Sequence, residues 1–126
     1  MTINVKTSTG SYDITLERGA LLHVEQYLNL DRRVLIVTDD GVPPQYARAV
    51  ADKCKYPHTV TLPQGESTKC MESFTRLLKA LVENGFTRTD CVVAVGGGVM
   101  GDLAGFAAAS FMRGIDFYNI PTTVLS

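Results

Sequence analysis

Four short segments carry the residue types that can do chemistry in this chain. In the first, Gly96-Gly97-Gly98-Val99-Met100-Gly101-Asp102 follows the apolar run Cys91-Val92-Val93-Ala94-Val95 and opens the alanine-rich stretch from Leu103 to Ser110. A strand, a glycine turn and a helix in that order make a phosphate cradle. Glycines without Cβ atoms let backbone N–H groups approach an anion closely, and the first helical turn adds unpaired donors and a partial positive charge. An anionic cofactor is the natural occupant. Gly96, Gly98 and Gly101 also satisfy G-x-G-x-x-G in the context that a dinucleotide fingerprint requires. The ribose-binding acidic residue expected about 20 residues further on has no good candidate, because Asp116 stands at the start of the next apolar run and not at its end. The bland alternative is a glycine turn that only packs helix against strand. A mononucleotide loop of the G-x-x-x-x-G-K-[ST] kind is excluded, since no lysine follows the glycines.

The second segment, Thr38-Asp39-Asp40-Gly41, closes the run Arg33 to Val37, at the end of a strand where open parallel sheets bind ligands. Asp39 can accept from ribose hydroxyls there, or merely cap the following turn. The third, Pro63-Gln64-Gly65-Glu66-Ser67-Thr68-Lys69, again lies between a strand and a helix and so belongs on the same rim. Glu66 and Lys69 stand about one turn apart; alone they read as a surface ion pair, and as a pair they suit a hydroxyl- and phosphate-bearing ligand. The fourth, Arg113-Gly114, follows the alanine-rich helix at the end of the sheet opposite the cradle. Beside Phe111-Met112 it reads either as a solvated charge or as part of a subunit interface. His23 and His58 keep no metal-ligand or nucleophile spacing with cysteines or carboxylates and read as structural. These residues hold no general base, nucleophile or metal site.

The elements that must position these segments alternate. Ile3 to Lys6 and Tyr12 to Leu16 around Thr9-Gly10-Ser11 predict an antiparallel hairpin, and Leu21 to Leu28 a short amphipathic helix. Strands follow at Arg33 to Asp39 and His58 to Leu62, and a helix from Pro43-Pro44 to Ala51, where proline in the first turn sacrifices no helical bond. Cys70 to Asn84 has helical spacing with Gly85 placed to cap it, and Ile115 to Ile120 predicts a last strand closed by Pro121. The expected fold class is α/β, a mostly parallel sheet with helices on both faces. The chain ends at Val124-Leu125-Ser126, where a further element is due, which predicts a fragment of a longer protein.

Composition sets the outer bounds. With 126 residues, 45% hydrophobic and 20% charged, this is one domain's worth of ordinary globular chain. A net charge of -1 gives no reason to expect nucleic acid or an anionic membrane as partner. The 3 cysteines, Cys54, Cys70 and Cys91, are odd in number and far apart, as suits reduced thiols in a cytoplasm. No apolar run approaches the roughly 18 residues that span a bilayer, and the start lacks signal-peptide character.

Read together, Pro63 to Lys69, Gly96 to Phe106, Phe111-Met112-Arg113-Gly114-Ile115 and Ile120-Pro121-Thr122-Thr123-Val124-Leu125 closely resemble the 3-dehydroquinate synthase family. The resemblance implies a Rossmann-like, amino-terminal NAD-binding domain spanning residues 1–126, with the helical second domain that carries the metal and most substrate contacts absent. It implies an enzyme that turns 3-deoxy-D-arabino-heptulosonate 7-phosphate into 3-dehydroquinate and phosphate, on the shikimate route to aromatic amino acids. NAD is recycled in that reaction, and zinc or cobalt is required in the full-length form. By residue match, Gly97, Gly98, Val99, Gly101 and Asp102 look like pyrophosphate and nicotinamide-side contacts, and Glu66 and Lys69 look like further cofactor contacts. Asp39 resembles the adenosine-ribose carboxylate, and Thr122 and Thr123 would complete the NAD site. Arg113 resembles a residue that reaches the substrate of a neighbouring subunit, which implies a homodimer. No catalytic residue falls within the chain, so it is expected to be inactive alone. The alternatives are a related sugar-phosphate cyclase, a metal-dependent polyol dehydrogenase, or a non-enzymatic nucleotide-sensing module.

Overall fold

A computed structural model of the chain describes residues 2–7 and 10–15 as backbone and residues 28–122 with their side chains. One sheet runs in the order β2-β1-β6-β5-β3-β4. Its strands are β1 (Thr2–Thr7), β2 (Gly10–Thr15), β3 (Arg33–Asp39), β4 (Tyr56–Leu62), β5 (Cys91–Gly96) and β6 (Asp116–Pro121). β4, β3, β5 and β6 are mutually parallel, as the alternation of strands and helices predicts. β1 runs antiparallel to both β2 and β6.

β5 is buried along its whole length, the pattern of a central parallel strand covered on both faces. β3, next to it, sends Val34 and Ile36 to one face and Leu35 and Val37 to the other. Over the first face lies α1 (Pro44–Ala51), which buries Ala47 and Val50. Over the second lie α2 (Met71–Glu83) and α3 (Gly98–Ser110), which bury Leu77, Leu81, Met100, Leu103, Ala104 and Ala107. Helices thus cover both faces, and the small residues of α3 let it sit close on β5 and β6. At Gly105 a Cβ would stand 3.2 Å from the Phe117 ring.

The local signals act as their chemistry dictates. Pro44 occupies the first turn of α1, where its missing N–H is no loss. Gly85 takes a φ of 72° after α2, and the Gly85 and Phe86 amides donate to the Val82 and Leu81 carbonyls at 3.2 and 3.0 Å. That double bond closes the helix. Among the described residues no helix is long and apolar enough to cross a membrane. The predicted helix over Leu21 to Leu28 lies outside the described residues except for Leu28, which is buried; His23 lies outside them as well. His58 packs edge-on against Phe86, with centroids 5.5 Å apart.

One boundary differs in a way that bears on function. α3 starts at Gly98, five residues before the predicted Leu103, so Gly98 and Gly101 are helical and not turn residues. Glycine's low helix propensity hides this start. Packing overrides it, since Met100 in the same turn is wholly buried against the sheet.

The cysteines divide by environment. Burial pushes the Cys54 and Cys91 thiols up to about 12, whereas a bond to Ser73 lowers that of exposed Cys70. Thiolate is the reactive form. Iodoacetamide at neutral pH is therefore expected to modify Cys70 first, with Cys54 and Cys91 reacting only after unfolding; peptide mass mapping over time checks this.

Candidate functional site

The strand order places a switch point between β3 and β5. From β3 the chain moves outward to β4, and from β5 it moves the other way to β6. In open parallel sheets the crevice beyond the carboxyl ends of such strands is where ligands bind. A cavity of about 410 Å³ lies here, lined among others by Asp39, Gln64, Gly97, Gly98, Val99 and Thr122. It thereby joins the rims of all four parallel strands.

Its floor is the start of α3. Gly97 caps the helix with no side-chain hydrogen bond, and the first internal bond runs from the Gly101 amide to the Gly97 carbonyl at 3.2 Å. The amides of Gly98, Val99 and Met100 therefore have no partner within the helix, which concentrates donors and positive potential at the cavity. The glycines serve different ends. None of Gly96, Gly98 and Gly101 has a positive φ. At Gly96 a Cβ would stand 2.8 Å from Met100 Cγ, and at Gly101 it would stand 3.2 Å from the Asn119 amide. Both let α3 lie close on the sheet, so the packing reading holds for them. At Gly98 a Cβ would meet nothing within 4 Å. Of these three glycines, Gly98 alone leaves open space on the cavity side.

Asp39 does two things at once. Its Oδ1 accepts from the amides of Gly41 and Val42 at 2.8 and 3.1 Å, which fixes the turn after β3. Its Oδ2 lies 3.7 Å from the position of a Cβ on Gly96, so the carboxylate spans the switch point towards β5. Asp40 accepts from the Gln64 amide at 2.9 Å and ties the second loop to the third. The end of the exposed Gln64 side chain lies in the space a Cβ on Gly41 would take, and it can swing aside.

The remaining predicted residues fall into three groups. Lys69 does not pair with Glu66; its Nζ donates to Asp102 Oδ2 at 2.9 Å, and that bond raises the Lys69 pKa. This pair ties the loop before α2 to the second turn of α3, beside the cavity. Glu66 is exposed at the start of a 3-10 turn, Glu66–Thr68. Gly101 faces Asn119 and is not brought into the cavity. Thr123 lies outside the described residues. Arg113 sits at the opposite end of the sheet, as predicted, and is exposed; it and Met112 have φ values of 68° and 47°. Two successive left-handed residues other than glycine are strained, each by about 1–3 kcal/mol. Asp116, too early in its strand to serve as a ribose ligand, is engaged at that same far end by Arg32 at 2.9 Å. Among the described residues no group of three His, Cys, Asp or Glu side chains could hold a metal ion.

Gln64 and Tyr46 also line the cavity and carry no motif of their own. Gln64 lies inside a segment already singled out, but Tyr46 reads in sequence only as part of an amphipathic helix. Because Lys69 and Asp102 are both about half exposed, their ion pair adds little. Asp102→Asn is expected to leave the urea unfolding midpoint almost unchanged.

Comparisons with known proteins agree with this geometry. The sequence model of a family described as 3-dehydroquinate synthase N-terminal matches residues 59–126. The 3-dehydroquinate synthase of Halalkalibacterium halodurans is 40% identical over 129 residues, covering 98% of this chain. The chain spans 36% of that relative's length. Among solved structures, a 2-deoxy-scyllo-inosose synthase complexed with carbaglucose-6-phosphate, NAD+ and Co2+ superposes with a TM-score of 0.81 at 28% identity, over 97% of this chain and 35% of that one. A 2-epi-5-epi-valiolone synthase from Streptomyces hygroscopicus, with NAD+ and Zn2+ bound, does so with a TM-score of 0.68 at 29% identity, over 82% of this chain and 30% of that one. With the family match extending over the cradle, the last strand and the chain's end, this protein belongs to the 3-dehydroquinate synthase family.

Proposed function

We propose that the chain is the NAD-holding domain of an enzyme that converts 3-deoxy-D-arabino-heptulosonate 7-phosphate to 3-dehydroquinate and phosphate. The observation that carries this reading is the cavity at the switch point, where the Asp39 carboxylate faces a helix start whose amides are unpaired and whose Gly98 leaves open space. An anion beside a hydroxyl-bearing sugar fits that combination: the amides of Gly98 and Val99 receive the pyrophosphate, and Asp39 Oδ2 receives the adenosine ribose. Thr122, with Thr123 after it, closes the cofactor site from the end of β6. Lys69 and Asp102 act as a fixed pair at its edge, with Glu66 contributing from the neighbouring turn. Gly101 serves by letting α3 approach β6.

NAD supplies a transient oxidation of a ring alcohol, which acidifies the neighbouring C–H and makes loss of phosphate feasible. The divalent metal and most substrate contacts belong to residues other than those described here. Arg113 is assigned to the substrate site of a second subunit in a homodimer. Its support is the strained pair of left-handed residues that hold Met112 and Arg113 out at the surface, with Met112 54% exposed. A related sugar-phosphate cyclase is the second reading, favoured by the superposition on 2-deoxy-scyllo-inosose synthase; the higher identity to 3-dehydroquinate synthase places it second.

Isothermal titration of the chain with NAD+ tests the cofactor reading. Weak binding is expected, because these 126 residues span only 36% of the length of the relative they match. A folded chain, by circular dichroism, that takes up no NAD+ at millimolar concentration would refute it.

A further inference from the structure

A second cavity, of about 480 Å³, lies on the α1 side of β3 and β4. The strand register pairs Thr38 with Thr61, and Ile36, two residues before Thr38, belongs to the core under α1, so alternation turns both threonine side chains to that side. Opposite them, Pro44, Ala47, Arg48 and Ala51 follow one face of α1. Three charged side chains line the space, Asp39, Asp40 and Arg48. Asp39 is engaged elsewhere: its Oδ1 holds the Gly41 and Val42 amides, and its Oδ2 lies towards Gly96 on β5. Asp40 Oδ1 accepts from the Gln64 amide, which leaves its Oδ2 open. Arg48 forms no ion pair with either carboxylate or with any other described residue. Thr38 is only 6% exposed, and its Oγ1, on the same cavity, has no hydrogen-bond partner.

An unpaired guanidinium and an open carboxylate on one cavity suit a ligand that carries both opposite charges. A lone anion there meets two carboxylates and a lone cation meets the guanidinium, whereas a zwitterion satisfies both ends. The ends are also ordered along the cavity. Asp39 and Asp40 stand together where β3 finishes, and Arg48 lies one helical turn beyond Pro44, so the ammonium belongs at the rim and the carboxylate deeper along α1. A guanidinium fork takes a carboxylate through two parallel bonds. The buried Thr38 hydroxyl, of a kind that is normally satisfied, is a third polar contact. Pro44, Ala47 and Ala51 offer an apolar wall, and the volume is that of a small-molecule site. We propose that this cavity binds an α-amino acid with an apolar side chain, its ammonium on Asp40 and its carboxylate on Arg48. The proposal stands apart from the NAD reading, although Asp39 and Val42 line both cavities.

The test is an amide-detected NMR titration of the labelled chain with L-leucine, run beside L-leucinamide, which lacks the carboxylate, and N-acetyl-L-leucine, which lacks the ammonium. L-Leucine is expected to shift the amides of Thr38, Asp40, Arg48 and Thr61, and to bind about 10-fold or more tightly than either analogue, the scale of one charge-assisted hydrogen bond. Arg48→Gln and Asp40→Asn should each weaken L-leucine by a similar factor. Both variants should keep the fold by circular dichroism, because Arg48 is exposed and asparagine retains an oxygen for the Gln64 amide. L-Leucinamide binding as well as L-leucine would make this a cation site, and N-acetyl-L-leucine doing so an anion site; either result overturns the proposal. So does an absence of shifts at millimolar L-leucine, an affinity unchanged in both variants, or full displacement of L-leucine by adenosine, which would give the cavity to a nucleoside. A parallel NAD+ titration read at Gly97 to Val99 keeps the fate of the cofactor reading separate from this one.

Discussion

Gly98→Val is expected to reduce NAD+ affinity by more than about 100-fold while leaving the fold intact. The reason lies in where the new atoms go. A Cβ at Gly98 meets nothing within 4 Å in the free protein, so valine is accommodated without displacing a neighbour. Its branched side chain then occupies the space above the unpaired amides that the pyrophosphate needs. Stability should change by less than about 0.5 kcal/mol, since valine and glycine differ little in helix propensity. Gly96→Ala provides the opposite control. There a Cβ would stand 2.8 Å from Met100 Cγ, and Met100 is wholly buried, so the cost falls on the core. Unfolding midpoints and titrations on both variants separate the effects; unchanged affinity in Gly98→Val would refute the cradle.

The second large effect is on folding. Asp90, only 3% exposed, accepts from the Arg33 amide at 3.0 Å and the Thr87 amide at 2.8 Å, and so joins the start of β3 to the turn that leads into β5. Asp90→Ala leaves those donors without their acceptor at a site with little access to water. A loss of about 3 kcal/mol is expected, twice or more that of Asp90→Asn, which retains an acceptor oxygen. Urea unfolding of the two variants measures the difference. Near-equal values would mean that water replaces the carboxylate at little cost.

What the sequence makes legible follows local chemistry. β3 has the predicted bounds at Arg33 and Asp39, and α1 starts at its proline, because a buried apolar run and a first-turn proline are signals carried by adjacent residues. α3 is harder to read. Glycine argues against helix locally, and the packing of Met100 that decides the matter is a tertiary effect. The same limit applies to the site. Asp39, Gly97, Gly98, Val99 and Thr122 converge on one cavity because each ends or follows a strand. The partner of Lys69 stands 33 residues away, and no spacing rule connects the two. Tyr46 becomes notable only once α1 is laid over the sheet. The left-handed pair Met112-Arg113 carries no sequence signal, as neither residue favours that conformation.

The central claim is that the crevice between β3 and β5 holds NAD. The most direct measurement is an amide-detected NMR titration of the isotopically labelled chain with NAD+. The expected shifts cluster at Asp39 to Val42, Gln64 and Gly65, Gly97 to Val99 and Thr122, and fade in Gly98→Val. Shifts centred elsewhere, or none at millimolar NAD+ in a folded chain, would contradict it.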